Sequence, residues 1–357
     1  MNRKRLAGVL SSGFLIVCLF AGVTLSSQAP SAPLTAVQAT DKPFLWRIEG
    51  TVPSYLYGTV HVPDPRVLEL PEVVRRAFDA SDVFNAEIPL DAATQAGMLA
   101  KIMLPPGQDL RKLAGEEVFG RLVRAITNIL GGQLPGAGEI LAATLQPMKP
   151  WAAMSQVELL EYLPDVMAGR QPLDAMLYGM ATKANKEVGA LETVDEQVAV
   201  FEGFTMDEQV RMLASTLDEI EKPRPGGLSS IRQLVNLYLA GDLNQLAAEL
   251  KEQGTEDEAL KKKIVARLID NRNLKMADRI AALYAKKPAR SYFFAVGALH
   301  YAGDTGIITQ LTKKGFKITR LGPADVPSIV PSPPGEGRAR SGRVRADLVY
   351  FLSLSRG

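Results

Sequence analysis

The sequence is poor in the side chains that most often bind metals or form covalent cross-links. Its 357 residues include one cysteine and two histidines. Cys18 lies inside an apolar N-terminal run, and Val17 stands where a lipidation signal needs a small residue. A mature chain without that run has no thiol for a disulfide or for metal ligation. Any metal ligands must then be nitrogen or oxygen atoms.

Two familiar hydrolase signatures and a strong net charge are also missing. The sequence contains neither an H-E-x-x-H helix nor a G-x-S-x-G elbow, which excludes the usual patterns of zinc proteases and serine hydrolases. The net charge is only +2, and both ends of the chain are basic, which leaves the central body mildly acidic. A mildly acidic body argues against nucleic acid as a partner.

Both ends of the chain differ in composition from its body. Residues 1–39 read as a signal peptide, in which Arg3, Lys4 and Arg5 precede an apolar run (6–25) and a small-residue stretch. The run is also long enough for an uncleaved anchor, which would be the only contact with a membrane. We therefore expect an exported, periplasmic protein. Residues 323–357 are rich in Pro, Gly and Arg and predict a disordered tail, with a candidate strand at 348–354.

Between these ends, residues 40–322 predict one α/β domain. Alternating apolar residues predict strands over 45–50 and 54–62, followed by a helix over 70–82 and a strand that ends near Glu87. A helical middle (about 100–285) follows, interrupted by a probable strand over 186–193. Strands over 291–299 and 316–321 then flank a helix. This order predicts a central sheet completed by N- and C-terminal βαβ-like halves, with a large helical insertion or cap between them.

Both histidines follow a glycine by three residues at the end of an apolar run. The two segments are Gly58–His61 and Gly297–His300. Ligands of open α/β sheets bind where strands end, and a glycine there lets the backbone turn sharply or approach a ligand closely. The opposing interpretation is that each histidine is an ordinary core residue with its hydrogen bonds satisfied.

If the histidines hold a metal, they need a third ligand. Catalytic divalent sites commonly combine two histidines with one carboxylate and leave positions open for water and substrate. Glu87 is the best placed acid, because it ends the next predicted strand. Asp64 and Asp304 follow the two histidines closely and are fallback ligands or hydrogen-bond partners that orient the imidazoles.

Ordered motifs over residues 44–321 resemble the TraB/PrgY/GumN family. They are the G-T-x-H strand end with the following Glu-bearing strand, then MKPW (148–151), LD (173–174), ALETVDEQ (190–197), NRN (271–273) and the FFAVGALHYAGD segment (293–304). The resemblance implies a clan that includes Tiki metalloproteases and the erythromycin esterase and ChaN-like proteins. It further implies that His61, His300 and Glu87 hold a divalent ion such as manganese, cobalt or zinc.

Three further polar positions are candidates for catalysis or substrate positioning. Arg272 and Asn273 interrupt a predicted helix, where a polar pair on the inward face could orient substrate or steady a developing oxyanion. The competing interpretation is a surface or capping pair. Glu192 could shuttle protons, with Gln197 nearby, although Thr193-x-x-Glu196 resembles a capping box and explains that segment structurally.

Three functional hypotheses follow from these residues. The first is a periplasmic metal-dependent hydrolase of peptide or amide bonds, in which Glu87 acts either as a metal ligand or as a general base beside two histidine ligands. The second is a protein that binds a peptide or small molecule in the same crevice without turnover. The third is a helical envelope scaffold, for which both histidines are dispensable.

Overall fold

The computed structural model describes residues 39–131, 136–252 and 257–325. The apolar N-terminal run, the Arg-rich tail after residue 325 and the candidate strand over 348–354 lie outside these ranges. Among the helices in the described ranges, none is both long enough and apolar enough to cross a membrane.

Six strands of the described chain form one mixed sheet in the order β4-β3-β5-β2-β1-β6. Their bounds are β1 (Leu45–Ile48), β2 (Ser54–Thr59), β3 (Val83–Ala86), β4 (Glu187–Ala190), β5 (Tyr292–Gly297) and β6 (Ile318–Arg320). Strands β4, β3, β5 and β2 run parallel, whereas β1 is antiparallel to both β2 and β6. Strand β5 lies between β2 and β3, so both ends of the chain complete one sheet, as predicted.

Helices cover the connections between strands. Their bounds are α1 (Pro65–Leu68), α2 (Glu72–Ala80), α3 (Ala92–Ile102), α4 (Leu110–Ile129), α5 (Ala137–Leu145), α6 (Pro150–Leu159), α7 (Leu163–Met167), α8 (Leu173–Lys183), α9 (Val194–Glu202), α10 (Met206–Glu221), α11 (Ser230–Ala240), α12 (Leu243–Glu252), α13 (Glu258–Val265), α14 (Asn271–Lys286) and α15 (Ile307–Lys313). A π-helical turn (Ala266–Asp270) joins α13 to α14, and 3₁₀ turns span Leu160–Tyr162, Pro225–Gly227 and Ala298–Tyr301.

The helical middle differs in detail from the sequence prediction. Strand β4 joins the sheet beside β3 and divides the helices into two groups, α3–α8 and α9–α14. One boundary inside the predicted helical middle lies at Gly241, whose left-handed φ of 69° ends α11.

The central strands are buried on both faces, which explains their nearly continuous apolar sequence. Every residue of β2, β3 and β5 is buried, whereas the edge strand β4 is partly exposed. Helix α2 packs on the sheet through the apolar face that its spacing predicted, and the Phe78 ring meets the Phe293 ring edge-on at 5.4 Å. The sheet is therefore a rigid support for the residues at its edge.

Three neighbouring parallel strands end at the same edge of the sheet. Strand β2 ends at Thr59, which pairs with Gly297, the last residue of β5. Strand β3 ends one residue before Glu87. The residues that follow these strands therefore meet over the carboxyl edge, where open α/β sheets bind ligands.

Candidate metal and active site

His61 is oriented by a carboxylate from helix α8. Its Nδ1 lies 2.5 Å from Oδ2 of Asp174, in the first turn of that helix. Thr59 donates its hydroxyl to the other carboxylate oxygen of Asp174 at 2.6 Å. Because a carboxylate only accepts hydrogen bonds, Nδ1 carries the proton and Nε2 faces the space over the strand ends.

His300 is oriented by a neutral amide. It lies in the 3₁₀ turn directly after β5 and is 2% exposed. Its Nδ1 donates to Oδ1 of Asn273 at 2.6 Å, so that Nε2 is again left to face the same space. The predicted inward position of Asn273 is thereby explained: its side chain is fully buried and holds an imidazole.

Glu87 connects the two histidines. Its Oε1 lies 3.7 Å from Nε2 of His61 and 3.8 Å from Nε2 of His300. The same oxygen accepts the backbone N–H of Gly297 at 2.6 Å. The structure thus brings together the three residues predicted as metal ligands.

Arg272 binds two buried carboxylates rather than open space. Its Nη2 donates to Glu87 at 2.7 Å and to Glu192 at 2.6 Å, while Nε donates to Glu192 at 2.9 Å. Nη1 donates to the carbonyl of Leu268 at 3.3 Å. Four of its five N–H donors are therefore used by protein groups, and this geometry favours a role in positioning Glu87 over the predicted role in steadying an oxyanion.

The π-helical turn explains how a charged residue reaches this depth. It lies directly before α14, which carries Arg272 and Asn273 in its first turn. Such turns insert an extra residue into a helix and shift the side chains that follow. Both side chains therefore point inward from a helix whose outer face carries charged residues.

The electrostatics of the three central groups differ strongly. Burial alone would raise the pKa of Glu87, but Arg272 and the two imidazoles hold that pKa at about 2. Burial also opposes protonation of His61, yet Asp174 outweighs it and raises the pKa to about 9. For His300, burial and the Arg272 charge lower the pKa to about 3. Burial raises the pKa of Glu192 against the opposing charge of Arg272.

The site has an open position beside unpaired polar atoms. His61 Nε2 is buried and has no hydrogen-bond partner among the described residues. A Cβ atom built on Gly297 would lie 3.1 Å from Glu87 Oε1 and 3.2 Å from His61 Nε2. The missing side chain of Gly297 therefore leaves room between two of the three predicted ligands.

The donor set suits a divalent ion, although it is not contracted around one. Ligand atoms on a tetrahedral ion with bonds of about 2.1 Å are about 3.4 Å apart. The two nitrogen-to-oxygen separations of 3.7 and 3.8 Å are slightly longer. Within the described ranges, no three His, Cys, Asp or Glu side chains have the spacing of a formed metal site. A small inward movement of the imidazoles would be required.

The other predicted positions divide into two groups. Gln197 joins the site, since its amide donates to Glu87 Oε2 at 3.2 Å, and Thr193 with Glu196 forms the predicted capping box of α9. Asp64 caps α1 and binds Arg66, and Asp304 lies exposed before α15. These two aspartates are outside the hydrogen-bonded group around the histidines.

In the sequence, Asp174 is recognisable only as part of the LD pair (173–174) of the family motif, without a role. No local signal links it to His61, which lies 113 positions away. An Asp in the first turn of a helix has an ordinary explanation, a favourable charge at the helix N-terminus, which made its presence unspecific.

The known proteins that this chain resembles include several metalloproteases. The chain is similar to Metalloprotease TIKI1 of Xenopus tropicalis, with 28% identity over 338 residues, covering 85% of this chain and 66% of that protein. Metalloprotease TIKI1 of Danio rerio is 28% identical over 86% of this chain and 69% of its own length. Metalloprotease TIKI1 of Homo sapiens is 26% identical over 86% and 68%, respectively.

The chain thus spans about two thirds of the length of these relatives. No solved structure matches it significantly. The pattern of the TraB/PrgY/gumN family matches residues 44–320, a range that contains all six strands and every residue of the site described above. The chain belongs to the TraB/PrgY/gumN family.

Proposed function

We propose that this protein is an exported, metal-dependent hydrolase of peptide or amide bonds. One observation carries the proposal: the buried, unpaired Nε2 of His61 faces an open position that it shares with Glu87, and His300 Nε2 lies 3.8 Å from the same carboxylate oxygen. The names of the similar TIKI metalloproteases support the reaction class.

His61, His300 and Glu87 are the residues that would hold the ion. A bound divalent ion such as manganese, cobalt or zinc supplies a Lewis acid and lowers the pKa of water at its open position. Oε1 of Glu87 accepts one N–H, from Gly297, and a carboxylate oxygen has two lone pairs, so capacity for a ligand remains. If only the histidines bind the ion, Glu87 is positioned as a general base.

The surrounding residues orient these three groups toward one another. Asp174 and Asn273 keep a proton on each Nδ1, so that both Nε2 atoms face inward. Arg272 and Gln197 hold Glu87, and the ionic bond with Arg272 favours its ionised form. The amide nitrogen of Asn273 is buried and has no hydrogen-bond partner among the described residues.

A second candidate is a protein that binds a peptide without cleaving it. Two observations favour it: the described side chains form no contracted metal cluster, and the charge of Glu87 is already met by Arg272. Under this hypothesis, the crevice recognises a ligand, and the histidines contribute hydrogen bonds only.

Metal analysis separates the two candidates. The mature chain is incubated with manganese, cobalt or zinc, and bound metal is measured by mass spectrometry beside a His61→Ala, His300→Ala variant of matched circular dichroism. We expect about one ion per chain in the wild type and none in the variant. Metal-dependent cleavage of a peptide mixture by the wild type alone would support the hydrolase. Equal metal content in both proteins would contradict the proposed metal site.

The export proposal depends on residues 1–39, whose composition is that of a signal peptide. Cell fractionation and N-terminal sequencing of the recovered protein test it. A periplasmic chain that begins near residue 40 is the expected result, and an intact chain in the membrane fraction would favour the anchor.

A further inference from the structure

An open cleft lies directly beside the two histidines. It encloses about 380 Å³ of empty space including its mouth. Strand ends β2 and β5 form one wall together with the 3₁₀ turn after β5, and helices α11 and α12 form the other. The lining residues are Thr59, Val60, His61, Leu234, Tyr238, Leu246, Gly297, Ala298, Leu299 and His300.

The side-chain hydroxyls of this lining are occupied, which leaves free side-chain polar atoms only at the histidine end. The hydroxyl of Tyr238 donates to the carbonyl of Gly58 at 2.8 Å, which leaves its ring as part of the wall. Thr59 donates its hydroxyl to Asp174 at 2.6 Å. Among the described residues that line the cleft, none is Asp, Glu, Lys or Arg. One end of the cleft thus offers two imidazole nitrogens, and the other offers hydrocarbon.

We infer that the cleft binds an apolar side chain of the substrate, next to the bond that is cleaved at the histidines. This inference rests on the proposed function and specifies its substrate class as peptides with an aliphatic residue, such as Leu or Met, beside the scissile bond. A charged side chain at the leucine end of the cleft would lose its water and find no charged partner there, whereas an aliphatic one gains from burial.

The two-ended character of the cleft favours a peptide over a sugar. Each sugar hydroxyl needs a hydrogen-bond partner, and the wall formed by Leu234, Tyr238 and Leu246 supplies none. A peptide instead presents a polar carbonyl for the histidine end and an apolar side chain for the other. Both ends belong to one cleft, because His61 and His300 line it together with Leu234 and Leu246.

The test uses the metal-loaded chain and quenched fluorogenic peptides. The peptides differ only at the residue beside the scissile bond, which is Leu, Met, Ala, Ser, Lys or Asp. Mass spectrometry locates the cleaved bond. We expect cleavage beside Leu or Met to exceed cleavage beside Lys or Asp by about tenfold or more in kcat/KM.

Two changes at Leu246, which is 2% exposed, then alter the preference. Leu246→Lys should favour Asp over Leu, and Leu246→Ala should shift the preference toward Phe by enlarging the cleft. Leu228→Lys is the matched control, since Leu228 is 42% exposed and does not line the cleft. The control should keep the wild-type profile.

The outcomes separate this inference from the proposed function. The inference is overturned if metal-dependent cleavage shows no preference for apolar residues, or if both Leu246 variants keep the wild-type preference. Either result leaves the proposed hydrolase function standing. If no peptide is cleaved, the hydrolase fails, and the cleft is tested by NMR titration with N-acetyl-leucine amide and N-acetyl-aspartate amide. Shifts at the cleft with the leucine amide alone, lost in Leu246→Lys, support an apolar pocket, and equal shifts overturn it.

Discussion

The segments Gly58–His61 and Gly297–His300 end neighbouring parallel strands, but their contacts differ. A Cβ on Gly58 would lie 2.8 Å from Cβ of Phe44, so this glycine allows close packing in the core. A Cβ on Gly297 would instead enter the space between Glu87 and His61. The same spacing in the sequence therefore serves packing in one segment and the site in the other.

The hydrogen-bond partners of the two histidines also differ. A carboxylate orients His61, whereas a neutral amide orients His300 close to Arg272. These partners account for the opposite directions in which the two pKa values move. The comparison teaches that similar motifs can supply chemically different imidazoles, with Glu87 as the group that both approach.

Removal of Arg272 should cause the largest loss of stability, because Arg272 binds Glu87, the carboxylate that lies next to both histidines. Arg272→Met leaves Glu87 and Glu192 buried without their cation. We expect the free energy of unfolding, measured by urea titration of the metal-free chain, to fall by about 3–5 kcal/mol. Arg76→Met breaks an exposed pair with Glu72 and should change it by less than about 0.5 kcal/mol. Equal losses would contradict the buried cluster.

Alanine at each motif glycine should separate packing from chemistry. Gly58→Ala should lower the free energy of unfolding by about 1–3 kcal/mol through overpacking while leaving metal binding intact. Gly297→Ala should cost less stability than Gly58→Ala, because its φ of −50° suits alanine and its shortest Cβ contact is 3.1 Å rather than 2.8 Å, but it should abolish metal binding.

Urea unfolding and metal mass spectrometry on both glycine variants check this pair of outcomes. Gly97→Ala, where a Cβ meets nothing within 4 Å, is the control for the substitution itself. Normal metal content in Gly297→Ala would show that the ion does not occupy the space beside that residue.

A change at Asp174 should show how much the carboxylate adds to orientation. Asp174→Ala frees the His61 ring and should weaken metal binding by about 10–100-fold. Asp174→Asn keeps an acceptor oxygen and makes this pair resemble His300 with Asn273, so its loss should be below about tenfold. Competition with a zinc-sensitive dye measures both affinities, and a similar loss in the two variants would mean that charge outweighs orientation.

The smallest effect should come from the hydroxyl behind Asp174. Thr59→Val removes the donor to Oδ1 without a change in shape. We expect a loss of about 1 kcal/mol in unfolding free energy and a few-fold weaker metal binding. An unchanged affinity in the same dye assay would indicate that Asp174 holds its position through its place in α8 alone.

Local patterns were enough to predict the sheet and its three central site residues. The strands around Gly58 and Gly297 alternate or run apolar, and Glu87 directly follows β3, the other neighbour of β5. Helix α10 was also predictable, because Thr205 and Glu208 form a capping box directly before it. That motif has the same spacing as the one recognised at Thr193.

The roles of Arg272 and Asp174 could not be read from local patterns. Arg272 is predictable as an inward polar residue, but its partners Glu87 and Glu192 lie on other elements, far away in the sequence. The contact of His61 with Asp174 likewise spans 113 positions. Such pairings depend on how helices dock on the sheet, which periodicity and capping do not specify.

The position of β5 has a consequence for how the protein matures. This strand fills the centre of the sheet between β2 and β3, yet it is among the last to be synthesised. Until it arrives, the strands on either side lack their shared neighbour, and His61 and Glu87 have no fixed relation to each other. Folding must therefore wait for contacts of high sequence separation, which are slow to form. An incompletely translated chain therefore lacks the assembled site, and an ion bound as proposed could be held only after β5 has joined the sheet.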